Sequence, residues 1–197
     1  MLHVHCRGRS VVARTRKVPV SIEESADIVL YVENYVYGGL ERCAMDLIVG
    51  FGPSRVILIV NRQNTRLLAF AADHQLAVVI TDVVTHSEEN ASMTFLARSR
   101  RMLRLVWCYF FNFFHLRRLL KPLAFKGPLL IVNGGYPAAA SCLAATLAAR
   151  SLGFQKIAMY VLSCPSRYRV PFPLLFAPKS LDRLVSKVVD IFVANCK

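Results

Sequence analysis

Acidic residues are scarce in this chain: 12 Asp and Glu stand against 25 Lys and Arg, a formal net charge of +13, and no acid precedes Glu23. So positive a protein favours anionic partners, meaning nucleic acid, phosphorylated ligands or an anionic membrane surface. Paired cysteines are also missing. The six, Cys6, Cys43, Cys108, Cys142, Cys164 and Cys196, form no CxxC, and several fall inside apolar segments. That pattern excludes a zinc ribbon or a disulfide frame and fits buried free thiols in a reducing compartment. The HVHC cluster (His3, His5, Cys6) has no second ligand cluster near it in sequence, so no metal is expected there.

Long apolar runs are absent too. Residues 1–26 lack the hydrophobic stretch of a secretory signal and read as a basic, disordered leader. No segment approaches the roughly twenty apolar residues needed to span a bilayer. There is no GxSxG, no phosphate-loop lysine motif, no HExxH and no complete dinucleotide fingerprint, and no internal repeat. What remains is a chain of 197 residues, 55% hydrophobic and 19% charged, long enough for one domain with a proper core. We take 27–197 as that domain.

Its opening stretch is DIVLYVENYVYGGLERCAMDLIVGF, Asp27 to Phe51. Ile28 to Val32 reads as a buried strand, Gly38-Gly39 as a turn, and Leu40, Cys43, Ala44, Leu47, Ile48 and Phe51 as one face of a helix. Strand, glycine turn and helix open a doubly wound α/β domain, in which ligands bind at the carboxyl ends of the strands. Gly38 and Gly39 are therefore candidates for phosphate or sugar contact, with a plain tight turn as the alternative. Further strands are expected at Arg55 to Val60, Ala77 to Val84, Leu129 to Val132, Ile157 to Leu162 and Asp190 to Ala194. Helices are expected around Thr65 to His74, from Pro137 to about Leu152, and through Leu181, Leu184, Val185 and Val188. Such alternation predicts a parallel, Rossmann-like sheet with helices on both faces. A second glycine turn, Asn133-Gly134-Gly135-Tyr136, would share the crevice with the first if the first and fourth strands are neighbours. The proline-rich loop after the fifth strand, SCPSRYRVPFPLLFAP, is expected to lie over it.

Residues 98–126 break the rhythm. Arg98, Arg100, Arg101 and Arg104 precede LVWCYFFNFFHL, and Arg117, Arg118 and Lys121 follow. A helix presenting Trp107, Phe110, Phe111 and Phe114 among those arginines suits an anionic membrane interface. The alternatives are a crossover helix with its rings in the core, or a single-stranded nucleic acid platform; the latter usually presents rings from strands. We expect no nucleic acid partner.

The segment GGLERCAMDLI resembles the GG-x-E-R-x-x-x-D-L pattern near the start of retaining nucleotide-sugar glycosyltransferases of family four, which have the two-domain GT-B architecture. LLIVNGGYPAAASCLAATLAARSLG resembles the strand-turn-helix at that family's acceptor crevice, and VVDIFVANCK the strand before its second domain. The resemblance implies that Gly38 and Gly39 lie near the donor's phosphates and the transferred sugar, with Glu41 ordering the helix start. It implies that Asn133, Gly134, Gly135 and Tyr136, with Ser163 and Arg167 of the next loop, line the acceptor side. The implied partners are a nucleotide sugar as substrate, with no cofactor or metal, and a glycan or lipid-linked acceptor. The implied location is cytoplasmic, peripheral at the inner face of the membrane. Two departures stand out. Leu162, Ser163 and Cys164 occupy the place where many members carry a histidine. The donor-binding domain with its paired glutamates would lie beyond Lys197, so this chain alone is expected to be inactive, with a non-catalytic membrane- or partner-docking module of the same fold as the alternative; Glu33 and Glu41, separated by seven residues, only mimic that pair.

Overall fold

The computed structural model describes residues 26–33, 38–83, 95–124, 127–133, 140–162 and 184–194. Its centre is β1 (Ile28–Val32), IVLYV, with the last four residues buried. β2 (Val56–Asn61) is buried throughout, and β4 (Leu129–Asn133) nearly so. Strands with apolar residues at consecutive positions must be covered on both faces. They are: all pairings are parallel, and the order β3-β2-β1-β4-β5-β6 is that of a Rossmann-like, doubly wound sheet, the fold class expected from the sequence. β3 is Ala77–Thr81, β5 Ile157–Val161 and β6 Ile191–Ala194.

Strand order reverses between β1 and β4, so right-handed crossovers place the helices in two sets. On one face α1 (Gly39–Phe51) and α2 (Thr65–Asp73) cover Leu30, Val32, Leu58, Val60 and Val132. On the other, α3 (Phe95–Leu120), α4 (Ala140–Ser151) and a short helical segment at 184–188 cover Tyr31, Ile57, Ile131 and Met159.

The boundaries that differ from expectation have local causes. Pro53 opens a 3-10 turn, Pro53–Arg55, so β2 begins at Val56 instead of Arg55. β3 stops at Thr81, short of the expected Val84. Asp82 is drawn aside by Arg62, at 2.8 and 3.0 Å, and the Val83 carbonyl accepts from Asn61 Nδ2 at 3.1 Å instead of from a strand. Asp190 stands outside β6 because its carboxylate caps a strand edge, accepting from Ile157 N at 2.7 Å and Arg150 at 2.9 Å. α3 starts earlier than expected, at Phe95, and yields after Leu120 to a 3-10 turn, Lys121–Leu123, built on Pro122, which has no N–H to continue the helix.

Candidate active site

β1 and β4 are neighbours in register Val29↔Leu129 to Val32↔Val132, so the switch point lies between them. Their carboxyl ends are where such a sheet opens a crevice. On the α1 side the chain arrives through Gly38, the residue before the helix. Its N–H donates to Glu41 Oε2 at 2.6 Å. Glu41 is fully buried, and its other oxygen accepts from Asn64 Nδ2 at 3.4 Å, while Asn64 Oδ1 caps α2 through the N–H of Leu67 at 3.0 Å. One carboxylate thus ties the glycine turn to the neighbouring helix, and Glu41 supports the turn from beneath.

The glycines themselves are not required by the fold. Gly38 has φ −168°, extended backbone open to any residue, and Gly39 is not among the glycines with positive φ. A Cβ on Gly39 would meet nothing within 4 Å, and one on Gly38 would touch only Glu41 Oε2 at 3.8 Å. Among the described residues nothing covers the outer side of the amino end of α1, where the peptide N–H groups and the positive end of the helix dipole lie. Below it a cleft of about 730 Å³ runs along α1 over β5, lined by Gly39, Arg42, Cys43, Asp46, Leu47, Gly50, Phe51, Tyr160 and Leu162. Arg42 is exposed on its rim, one turn from Gly39. Inside, Cys43 and Tyr160 adjoin; burial pushes the Cys43 thiol up, and the adjoining Cys43 does the same to the Tyr160 hydroxyl.

The α4 side is built differently. Tyr31, fully buried within β1, donates its hydroxyl to Ser141 Oγ at 2.8 Å. Two residues on, Glu33 accepts from Cys142 Sγ at 3.3 Å, and the Ser141 and Cys142 amides also bond to it. The first described turn of α4 is thus covered by the protein's own carboxylate. Burial raises the Glu33 carboxyl above its ordinary value of 4.5, only partly offset by those hydrogen bonds. The folded chain then holds this proton more tightly than the unfolded one, so the linked stabilisation is complete below about 4.5 and is lost as pH rises through the raised value. Glu33→Gln cannot titrate. Its urea-derived stability should gain on that of the wild type as pH rises above about 4.5, until the raised value is passed; parallel profiles would show that Glu33 is not desolvated.

Of the acceptor-side residues expected from the sequence, Asn133 is described. Its side chain is buried, with Nδ2 4.0 Å from Met159 Sδ, and its carbonyl accepts from the N–H of Leu162 at 3.1 Å. It forms the floor of the strand ends and not an exposed wall. Gly134, Gly135, Tyr136, Ser163 and Arg167 lie outside the described residues, as does the 1–25 part of the basic leader. Among the described residues no group of three His, Cys, Asp or Glu could hold a metal ion. Trp107, Phe110, Phe111, Phe114, Arg117 and Arg118 are all exposed on α3, away from this crevice floor. For Arg98, Arg100, Arg101 and Arg104 the helical backbone is described.

Sequence reasoning missed Tyr31, Glu33, Arg42, Ser141, Cys142 and Tyr160. A usable signal existed for two of them: Tyr31 and Glu33 are the polar residues, two apart, that end an otherwise aliphatic strand, which puts both on one face of the sheet. The others become neighbours only once the sheet is assembled.

No family model matches the chain, and no curated protein matches it. Among solved structures it is similar to the crystal structure of MurG from Acinetobacter baumannii, with 16% sequence identity and a TM-score of 0.49, over 85% of this chain and 41% of that one. At that identity the likeness is one of fold, and the chain spans less than half the length of MurG.

Proposed function

We propose that this domain is the acceptor-side half of a nucleotide-sugar glycosyltransferase of GT-B architecture. The observation that carries the reading is the amino end of α1: among the described residues neither backbone conformation nor packing requires a glycine at 38 or 39, and their lack of side chains leaves room for a ligand at the switch point. The likeness of GGLERCAMDLI to family-four enzymes falls on this same turn. In the reaction the donor's anomeric C–O bond to phosphate breaks, the oxygen of an acceptor hydroxyl bonds to the anomeric carbon, and the nucleoside diphosphate leaves with the bonding electrons and takes up the hydroxyl's proton. The α1 amino end and Arg42 would stabilise the charge developing on that diphosphate. The likeness to family four carries retention of the anomeric configuration, a glycan or lipid-linked acceptor, and chemistry without a metal.

The test is a titration of isotope-labelled protein with UDP-glucose and GDP-mannose, followed by amide NMR shifts. One of them should move the resonances of Gly39, Leu40 and Arg42. Gly39→Ala should weaken that binding at least about tenfold, because a methyl group blocks close backbone approach. Its unfolding free energy should stay within about 0.5 kcal/mol of the wild type or rise slightly, since the new Cβ meets nothing and alanine favours the helix. Shifts that are absent with every nucleotide sugar, or identical in Gly39→Ala, would remove the basis for the reading.

A further inference from the structure

The longest helix of the domain keeps four large rings in water. On α3, Trp107 is 73% exposed, Phe110 54%, Phe111 50% and Phe114 64%. Their spacing of three and four residues gathers them on one face. The opposite face is inside: Asn112, Leu116 and Leu120 are fully buried, and Tyr109 and Phe113 pack on the same core. The fold therefore packs two of the aromatic residues of this run against the core and leaves four largely exposed, of which Phe110, Phe111 and Phe114 touch rings of their own helix. The exposed face is also held in place. Phe111 stacks on His115 at 6.2 Å, and His115 Nε2 bonds to Thr81 Oγ1 at the end of β3, at 3.2 Å.

The row continues into basic positions at both ends. Arg118, exposed, stands one turn beyond Phe114; Arg104 and Arg100 precede Trp107 by three and seven residues in the same helix. Arg98 and Arg101 fall off the row by helical spacing, and Arg117 is turned to α4, donating to Ser151 Oγ at 3.3 Å. Rings in the middle and cations at each end suit a helix lying flat at the boundary between headgroups and acyl chains. No helix among the described residues is long and apolar enough to cross a membrane.

We propose that this face of α3 docks the domain on an anionic bilayer, with Trp107, Phe110, Phe111 and Phe114 entering the interface and Arg118 and the basic positions before Trp107 meeting lipid phosphates. Charge selects the occupant. A chain at +13 is repelled by a second copy and attracted by an anionic leaflet such as the cytoplasmic one. The docking also has a direction. Arg117 sits beside the last residue of α4, and α4 has 12 residues against 26 in α3. The first ten or so residues of α3 thus overhang the first described turn of α4 by roughly 15 Å, which holds the crevice end of the sheet beside the lipid surface. This inference stands whether or not the sugar-transfer reading does.

Trp107 is the sole tryptophan, so the unmodified chain reports on its own docking. With phosphatidylglycerol-containing vesicles its emission should shift to the blue and be quenched by lipids brominated on the acyl chains, while pure phosphatidylcholine vesicles leave it unchanged. The double variant Phe111→Ser, Phe114→Ser should partition at least about tenfold more weakly, with circular dichroism and thermal midpoint unaltered because both rings are outside the core. The proposal is overturned by an emission that ignores anionic vesicles, by equal binding to both vesicle types, or by a double variant that binds as tightly as the wild type. A blue shift that grows with protein concentration without lipid would assign the face to a second copy, and one produced by single-stranded DNA but not by vesicles would assign it to nucleic acid.

Discussion

Replacing Gly127 with alanine is expected to remove about 3 kcal/mol or more from the stability of this domain. Gly127 has φ +148°, a conformation that residues with a side chain rarely adopt, and a Cβ there would lie 2.0 Å from the carbonyl oxygen of Asp27 and 2.7 Å from its carbonyl carbon. Those are backbone atoms, which cannot rotate away as a side chain can. The closeness follows from the way β1 and β4 enter the sheet. Asp27 N–H donates to Arg55 O at 2.9 Å and Val29 N–H to Pro128 O at 3.0 Å, so the start of β1 is held on one side by the residue before β2 and on the other by the residue before β4. A methyl group at 127 must push β4 off β1, and with it the pairing that defines the switch point. For a chain of this size the thermal midpoint should fall by about 6–12 °C; a Gly127→Ala protein melting within about 2 °C of the wild type would contradict this approach. Gly39→Ala, by contrast, should affect ligand and not stability, so the two substitutions separate a glycine the fold needs from one it leaves open.

Glu41→Ala should be the next most damaging change, lowering stability by about 2–4 kcal/mol. It removes a fully buried carboxylate and leaves the Gly38 N–H and the Asn64 Nδ2 without that acceptor, beside a void where the side chain was. Glu41→Gln should cost less, since its amide oxygen can still accept from one of the two donors. The local consequence is measurable apart from the global one. Exchange of the Gly38 amide with solvent should quicken at least about tenfold in Glu41→Ala under conditions where the domain remains folded, because the 2.6 Å hydrogen bond that protects it is gone. Unchanged exchange together with an unchanged midpoint would show that the turn is held by something else.

These two residues also mark the division between what was legible in the sequence and what was not. The sheet was legible because its strands are buried on both faces and so read as uninterrupted runs, IVLYV, VILIV and LLIV, set off by glycine, proline and asparagine. Parallel pairing and two-sided helices followed from the alternation with helical stretches. The turn at Gly38-Gly39 was visible as a feature, but its meaning was not. Only the structure shows that a Cβ on Gly39 would meet nothing within 4 Å, so that packing does not require a glycine there. Gly127, which carries the heaviest steric constraint among the described glycines, reads in sequence as a turn before Pro128, but the close contact does not, since the atom it avoids belongs to a residue one hundred positions earlier.

The same holds on the two sides of the crevice and on α3. Glu33 and Cys142 are 109 residues apart, as a hydrogen-bonded pair can be only where a parallel sheet brings the end of β1 against the helix that follows β4. The aromatic run after Arg104 announces a helix with rings nearly all round it, yet which rings face water depends on the angle at which α3 is rotated over the sheet and α4. Composition and hydrophobic period thus determined the strands, the layers and the basic character of this protein, because those depend on burial summed along a segment. The tertiary structure alone decided which carboxylates close the helix ends, which glycine is a contact and which a vacancy, and which face of α3 stays wet, because each of those depends on the distance between residues far apart in the chain.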